Sequence, residues 1–262
     1  MAIKAELKKI KLFVLDMDGT FYLSSRIIDG SLDFIAKLRE TGRSFLFFTN
    51  NSSQTDAFYR RKLAAMGCEI GESEILTSGD VTIDYLKHEH PGKSVYLLGT
   101  DELRGSFAAA GIPLVDENPQ LVVVGFDKTI CYETANKACH YIRNGTPFIS
   151  THPDLNCPTE DGFILDCGSM CAMITASTGV TPKYLGKPCK ETLDAVMHLT
   201  GFAKDEIAFV GDRLYTDIAI GVNNGVASIL VLTGETTPGD LAESQVKPDF
   251  VYDSLRAIAE EL

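Results

Sequence analysis

No apolar run in this sequence approaches the ~18 residues that a membrane span requires. No Cys-x-x-Cys pair occurs, and the seven cysteines are an odd count. A disulfide framework or a zinc knuckle is therefore a poor reading, and reduced thiols in a cytoplasmic protein are expected. Basic excess is also missing: 24 Lys plus Arg stand against 36 Asp plus Glu, a formal net charge of −12. Such a surface repels phosphate backbones and anionic lipid, so neither nucleic acid nor membrane is an expected partner. Met1–Lys11 carries four lysines but no signal-type apolar region before Asp16, so no secretory leader is read there. Repeats, low-complexity tracts and long Pro/Gly/Ser linkers are absent as well.

What is present is a globular pattern. The 262 residues, 45% hydrophobic and 23% charged, predict one or two domains with a large core and exclude intrinsic disorder. Short apolar strands alternate with helix-length periodic segments. Strands are predicted at Lys11–Leu15, Ser44–Phe48, Val95–Leu98, Leu121–Val124, Pro147–Ser150, Ile207–Val210, Ser228–Leu232 and Phe250–Tyr252. Helices are predicted from Ser31 to Glu40, with Leu32, Ile35 and Leu38 on one face, and from a Ser53 cap to Met66. Further helices are read at Asp101–Ala110, Tyr132–Arg143 and Pro188–Thr200, with a closing one from Ser254. This alternation predicts parallel sheets with crossover helices, whose ligands bind beyond the carboxyl ends of the strands.

The strand ends carry chemistry. The first is followed by Asp16-Met17-Asp18-Gly19-Thr20, the second by Thr49-Asn50-Asn51-Ser52, and a later one by Gly211-Asp212-Arg213, with Asp217 close behind. Asp16 and Asp18 are two apart, which on an extended strand points them to the same side. Paired carboxylates repel, and Mg²⁺, which prefers hard oxygen ligands, removes that repulsion with help from Asp212. A carboxylate attacking a phosphate dianion meets charge repulsion of about 4 kcal/mol per unit pair at ~4 Å and an effective dielectric of ~20. Mg²⁺ and Lys187, in Gly186-Lys187-Pro188, can offset most of it. The Thr49 hydroxyl can donate to a phosphoryl oxygen. For Asp212 and Asp217, helix N-terminal charge is the competing explanation.

The four motifs, Asp-Met-Asp-Gly-Thr, Thr-Asn-Asn, Gly-Lys-Pro and Gly-Asp-Arg-Leu-x-Thr-Asp, occur in that order from residue 16 to residue 217. Together they resemble the haloacid dehalogenase superfamily of phosphotransferases. Thr49–Ser53, Val124–Thr129, His152-Pro153-Asp154 and Gly186–Pro188 narrow the resemblance to its NagD-like, nitrophenylphosphatase-type branch. The resemblance implies a doubly wound, Rossmann-like α/β core (residues 1–78 plus 184–262) and an inserted smaller α/β cap (79–183), for which the 137 residues between Thr49 and Lys187 leave room. Asp16 would be the nucleophile that forms an aspartyl-phosphate. Asp18 would protonate the leaving group and then activate water. Asp16, the backbone carbonyl of Asp18, and Asp212 would hold Mg²⁺, with Asp217 further out or acting through water. Thr49, Asn50 and Lys187 would hold the phosphoryl group. Leu165–Ser169 departs from the Pro-Gly-x-Gly-like stretch that many relatives carry.

The implied activity is a cytoplasmic, Mg²⁺-dependent phosphomonoesterase acting on small esters: sugar phosphates, nucleoside monophosphates, phosphoglycolate or pyridoxal phosphate. A phosphotransferase or phosphomutase on the same core, or a non-catalytic phospho-accepting or binding module, are the alternatives. Some relatives associate through the cap, so a homo-oligomer formed that way is compatible with the resemblance. His152, Asp154 and Asn156 fall in a predicted cap loop, either touching the leaving group or forming a polar surface turn. Cys167 and Cys171 read as small buried residues, and His88 and His90 as a solvated helix end.

Overall fold

A computed structural model describes residues 7–159 and 162–262, so the first six residues of the segment read for a leader lie outside the described residues. Among those described, the strands run in chain order β1 (Leu12–Leu15), β2 (Tyr22–Leu23), β3 (Arg26–Ile27), β4 (Ser44–Thr49), β5 (Ile75–Thr77), β6 (Val95–Leu98), β7 (Leu121–Val124), β8 (Phe148–Ser150), β9 (Asn156–Thr159), β10 (Gly162–Leu165), β11 (Lys183–Tyr184), β12 (Ile207–Gly211), β13 (Ala227–Val231) and β14 (Phe250–Tyr252). They fall into two compact units. One holds the chain up to Thr49, Tyr59–Leu76 and Val196–Leu262; the other holds Asn50–Phe58 and Thr77–Ala195.

The first unit is built on a six-stranded sheet in the order β14-β13-β12-β1-β4-β5, parallel from β14 to β4. β1 and β12 are runs without a polar side chain, buried along their length, and β13 is buried beyond its first residue, as expected of a parallel sheet covered on both faces. Ile229 and Val231 join one core cluster with Phe13, Phe34 and Phe47, while Leu230 between them joins Leu214 and Ile218. Period-2 alternation thus feeds two separate apolar layers. Helix Ser31–Glu40 buries Phe34, Ile35 and Leu38, whereas Leu32 is 40% exposed. The predicted face is rotated because Phe34, the larger side chain, packs edge-on against Phe13 with ring centroids 5.6 Å apart.

The second unit carries a four-stranded parallel sheet in the order β11-β8-β7-β6. Helices Tyr132–Arg143 and Cys167–Thr178 pack with it through Ala138, Cys139, Ile142, Met170 and Ile174. An antiparallel pair, β9 with β10, stands apart from that sheet and exposes Phe163 and Leu165. The helix expected from Ser53 starts instead at Asp56. The Asn51 side chain captures Ser53, accepting from its backbone N–H at 2.9 Å and its hydroxyl at 2.7 Å, which makes a turn in place of a first helical turn.

Candidate active site

Parallel order decides which strand ends are neighbours. β1 lies at the middle of its sheet, flanked by β12 and β4, so Asp16, Asp212 and Thr49 leave the same edge. The Asp16 backbone N–H still bonds to Val210 at 2.9 Å, continuing the ladder one residue past β1.

Asp16, Asp212 and Asp217 each offer a carboxylate oxygen within 4.8 Å of the other two. Asp212 is 1% exposed and accepts from the Thr20 hydroxyl at 3.1 Å and from the Glu235 backbone N–H at 2.7 Å. Burial, and next the charge of Asp217, push its carboxyl up to about 6. Asp217 is brought in by a π-helical turn, Leu214–Ile218, in which the Ile218 N–H reaches the Arg213 carbonyl at 3.2 Å. Its carboxylate accepts the Arg213 N–H at 3.1 Å. Burial works against the Arg213 charge, but Asp16 and the neighbouring carboxylates hold the guanidinium firmly protonated; it also pairs with Glu235 at 3.0 Å.

Backbone is packed closely around these groups. A Cβ at Gly19, where φ is +88°, would lie 2.5 Å from the Asp212 carboxylate, and one at Gly234 would lie 2.1 Å from it. The Thr233 hydroxyl donates to the Gly19 carbonyl at 2.7 Å, tying the turn after β1 to the loop after β13. Three hard oxygen donors converging inside a glycine-lined cradle fit a divalent cation with no nitrogen or sulfur ligand.

Asp18 takes a different place. The strand ends at Leu15, and the N–H groups of Phe21 and Tyr22 fold back to the Met17 carbonyl at 2.8 and 3.0 Å, so two-residue alternation does not extend to Asp18. Its half-buried carboxylate accepts the Ser24 N–H at 3.4 Å. The third carboxylate of the cluster is that of Asp217; the Asp18 group expected to face a cation is its backbone carbonyl, which is no part of that carboxylate set. Lys62 stands near Asp18, with its ammonium 4.0 Å from the centre of the Tyr22 ring; burial lowers its pKa and the Asp18 charge counters that.

Asn50 and Lys187 meet inside the second unit. The Asn50 carboxamide accepts the Lys187 backbone N–H at 2.8 Å and donates to the Lys187 carbonyl at 3.0 Å. Lys187 is 3% exposed. The sequence marked both residues as phosphoryl ligands; the structure shows the Asn50 side chain holding the lysine's peptide groups. Sequence reading missed Thr20, Arg213 and Thr233–Glu235. Arg213 stood inside a quoted motif, whereas the Thr233–Glu235 loop had only its position after a strand to signal it.

Residues 13–113 match a family model described as haloacid dehalogenase-like hydrolase, and residues 184–258 match a second, HAD-hydrolase-like one. An acid sugar phosphatase of Staphylococcus aureus is 38% identical over 256 residues, covering 97% of this chain and 99% of its own. Among solved structures, a 4-nitrophenylphosphatase from Thermotoga maritima superposes with a TM-score of 0.94 at 47% identity, over 97% of this chain and 98% of that one. NagD of E. coli K-12 gives 0.89 at 31% identity, over 94% and 97%.

Proposed function

The chain belongs to the haloacid dehalogenase-like hydrolases, on the branch of NagD and the 4-nitrophenylphosphatases, and from that membership we propose that it hydrolyses small phosphate monoesters, sugar phosphates foremost, with Mg²⁺. The observation that carries this reading is the meeting of Asp16, Asp212 and Asp217 at one sheet edge.

Asp16, Asp212 and the backbone carbonyl of Asp18 would hold the cation, with Asp217 beside them. When bound, Mg²⁺ neutralises charge on the phosphoryl oxygens and on Asp16. The Asp16 carboxylate attacks phosphorus while the ester P–O bond breaks, and Asp18 gives its proton to the departing oxygen. Asp18, now ionised, takes a proton from a water that attacks the aspartyl-phosphate, releasing inorganic phosphate and restoring Asp16. Thr49 donates to a phosphoryl oxygen, the backbone N–H of Asn50 supports it, and Lys187 supplies positive charge. The segment 79–183 supplies the contacts that select the substrate. The odd count of seven cysteines with no Cys-x-x-Cys pair supports a cytoplasmic setting; no described helix is long and apolar enough to cross a membrane.

The test is release of inorganic phosphate from sugar phosphates, nucleoside monophosphates, phosphoglycolate, pyridoxal phosphate and 4-nitrophenyl phosphate, with Mg²⁺ and with EDTA. Mg²⁺-dependent release, lost in Asp16→Asn, is expected. Transfer of the phosphoryl group to a sugar hydroxyl without free phosphate would replace hydrolysis with a transferase or mutase reaction, and release unaffected by Asp16→Asn would remove the nucleophile assignment.

A further inference from the structure

We propose that Asp154 is a positioning residue that acts on Lys187 through the Asn50 carboxamide, and that the buried His152–Asp166 pair fixes Asp154 for this task. The inference rests on the phosphatase reading above, in which Lys187 meets the phosphoryl group.

The Asn50 amide brackets one residue, accepting from the N–H of Lys187 and donating to its carbonyl. Turned end for end, the amide would set N–H against N–H and oxygen against oxygen. Asp154 decides between the two orientations. Its carboxylate oxygens lie 3.2 and 3.3 Å from Asn50 Nδ2, and a carboxylate accepts but does not donate. The remaining Nδ2 hydrogen therefore has a charged acceptor only in the bracketing orientation, and the backbone from which the Lys187 side chain springs is held at both peptide groups.

Asp154 is held in turn. His152, two residues earlier, is fully buried, with Nε2 2.9 Å from Asp166 Oδ1. The other ring nitrogen, Nδ1, sits 3.0 Å from the Thr151 hydroxyl and 3.3 Å from that of Ser78, which itself donates to the Asn50 carbonyl. Burial disfavours charge on this ring, but Cys167 and the Asp166 carboxylate outweigh it and push its pKa up to about 9. Burial lifts the Asp154 carboxyl above its ordinary range, and the His152 charge and the Asn50 bond pull it back. The Gly168 N–H donates to the Asp154 carbonyl at 2.8 Å. A Cβ at Gly168 would lie 2.1 Å from the Pro153 carbonyl, and one at Gly186, where φ is +69°, would lie 2.8 Å from Asn50 Oδ1. The pair, the turn, the amide and the lysine backbone thus leave one another little freedom.

The test is a double-mutant cycle on kcat/KM for 4-nitrophenyl phosphate in Mg²⁺, comprising wild type, Asp154→Ala, Lys187→Ala and the double variant. Inhibition by inorganic phosphate and thermal melting are measured alongside. Asp154→Ala is expected to cost about 10–30-fold in the wild-type background and less than about 2-fold once Lys187 is absent, with the inhibition constant for phosphate rising in parallel in the wild-type background only. Asp154→Asn keeps an acceptor facing Asn50 and should lose only about 3-fold. If the alanine variant does not fold, the asparagine cycle gives the same coupling at smaller amplitude. Equal losses in both backgrounds, or no loss in either, overturn the inference while leaving the phosphatase reading standing. Absence of phosphate release by wild type from every ester in the panel overturns both.

Discussion

Replacing Asp212 by asparagine isolates the electrostatic cost of the carboxylate cluster. Asp212 is buried, and its carboxyl is pushed up to about 6, first by burial and then by Asp217. The gap from the ordinary value near 4 is worth about 3 kcal/mol between the charged and neutral forms. The folded chain binds this proton more tightly than the unfolded chain does, so the penalty is absent below about pH 4 and fully present above about pH 6–7. Asparagine fits the same space: its Oδ1 can accept from the Glu235 N–H, and its Nδ2 can donate to Thr20, whose hydroxyl turns to accept. In EDTA near pH 7.5, Asp212→Asn should therefore be more stable than wild type by about 2–3 kcal/mol, roughly 5–10 °C in melting temperature. Near pH 5 the gap should narrow. Mg²⁺ should reverse the order, since a cation bound only by the folded chain adds about 2.7 kcal/mol at a hundred times its dissociation constant. Scanning calorimetry of both proteins, in EDTA and in Mg²⁺ at the two pH values, measures each arm. A variant no more stable than wild type in EDTA would refute the electrostatic argument, and equal stabilisation of both by Mg²⁺ would refute the cation seat.

Asp16→Asn should reduce turnover of 4-nitrophenyl phosphate by at least about a thousandfold with a wild-type far-UV circular dichroism spectrum, because volume is kept and the nucleophile is lost. Gly234→Ala should lower both Mg²⁺ affinity, read by titration calorimetry, and stability, since its Cβ would lie 2.1 Å from the Asp212 carboxylate; unchanged affinity would show that the loop moves aside. The pKa of His152 is raised to about 9, so its contribution is complete below about pH 6.5 and lost as pH rises through 9. Urea denaturation between pH 7 and 10 should show a loss of up to about 3 kcal/mol in wild type that is missing in His152→Asn; parallel curves would count against a charged ring.

Local order left clear marks in the sequence. β1, β7 and β12 are runs such as Leu12–Leu15 that end in acid or glycine, and their burial on both faces erases alternation but not the run itself. Asp16 and Asp212 could be found because a parallel sheet sends its strand ends to one edge. Asp217 could not be placed from its spacing, because a five-residue separation means one thing in an α-helix and another in the π-helical turn that holds it. The bond from Asn50 to the Lys187 backbone spans 137 positions, and tertiary packing brings Asn50, Thr151 and His152 against Gly186 to make it. The Thr233–Glu235 loop matters through the Thr233 hydroxyl on the Gly19 carbonyl, the missing side chain of Gly234 and the Glu235 amide on Asp212, and its place beside the turn after β1 is set only by the folded sheet.

The central place of β1 has a further consequence, for the order in which the protein is made. Its register partners are Ser44–Phe47 on one side and Ile207–Val210 on the other. On a ribosome adding ~5–20 residues per second, the roughly 160 residues between β4 and β12 take roughly 10–30 s to appear. During that interval one side of β1 is an open apolar edge, a template for association with other nascent chains. The strands of the second sheet, β6, β7, β8 and β11, emerge in that window as one stretch of sequence and can collapse without waiting. Asp16 thus exists for most of synthesis without Asp212 or Asp217, and the three carboxylates can meet only once roughly the last fifth of the chain arrives to close the sheet.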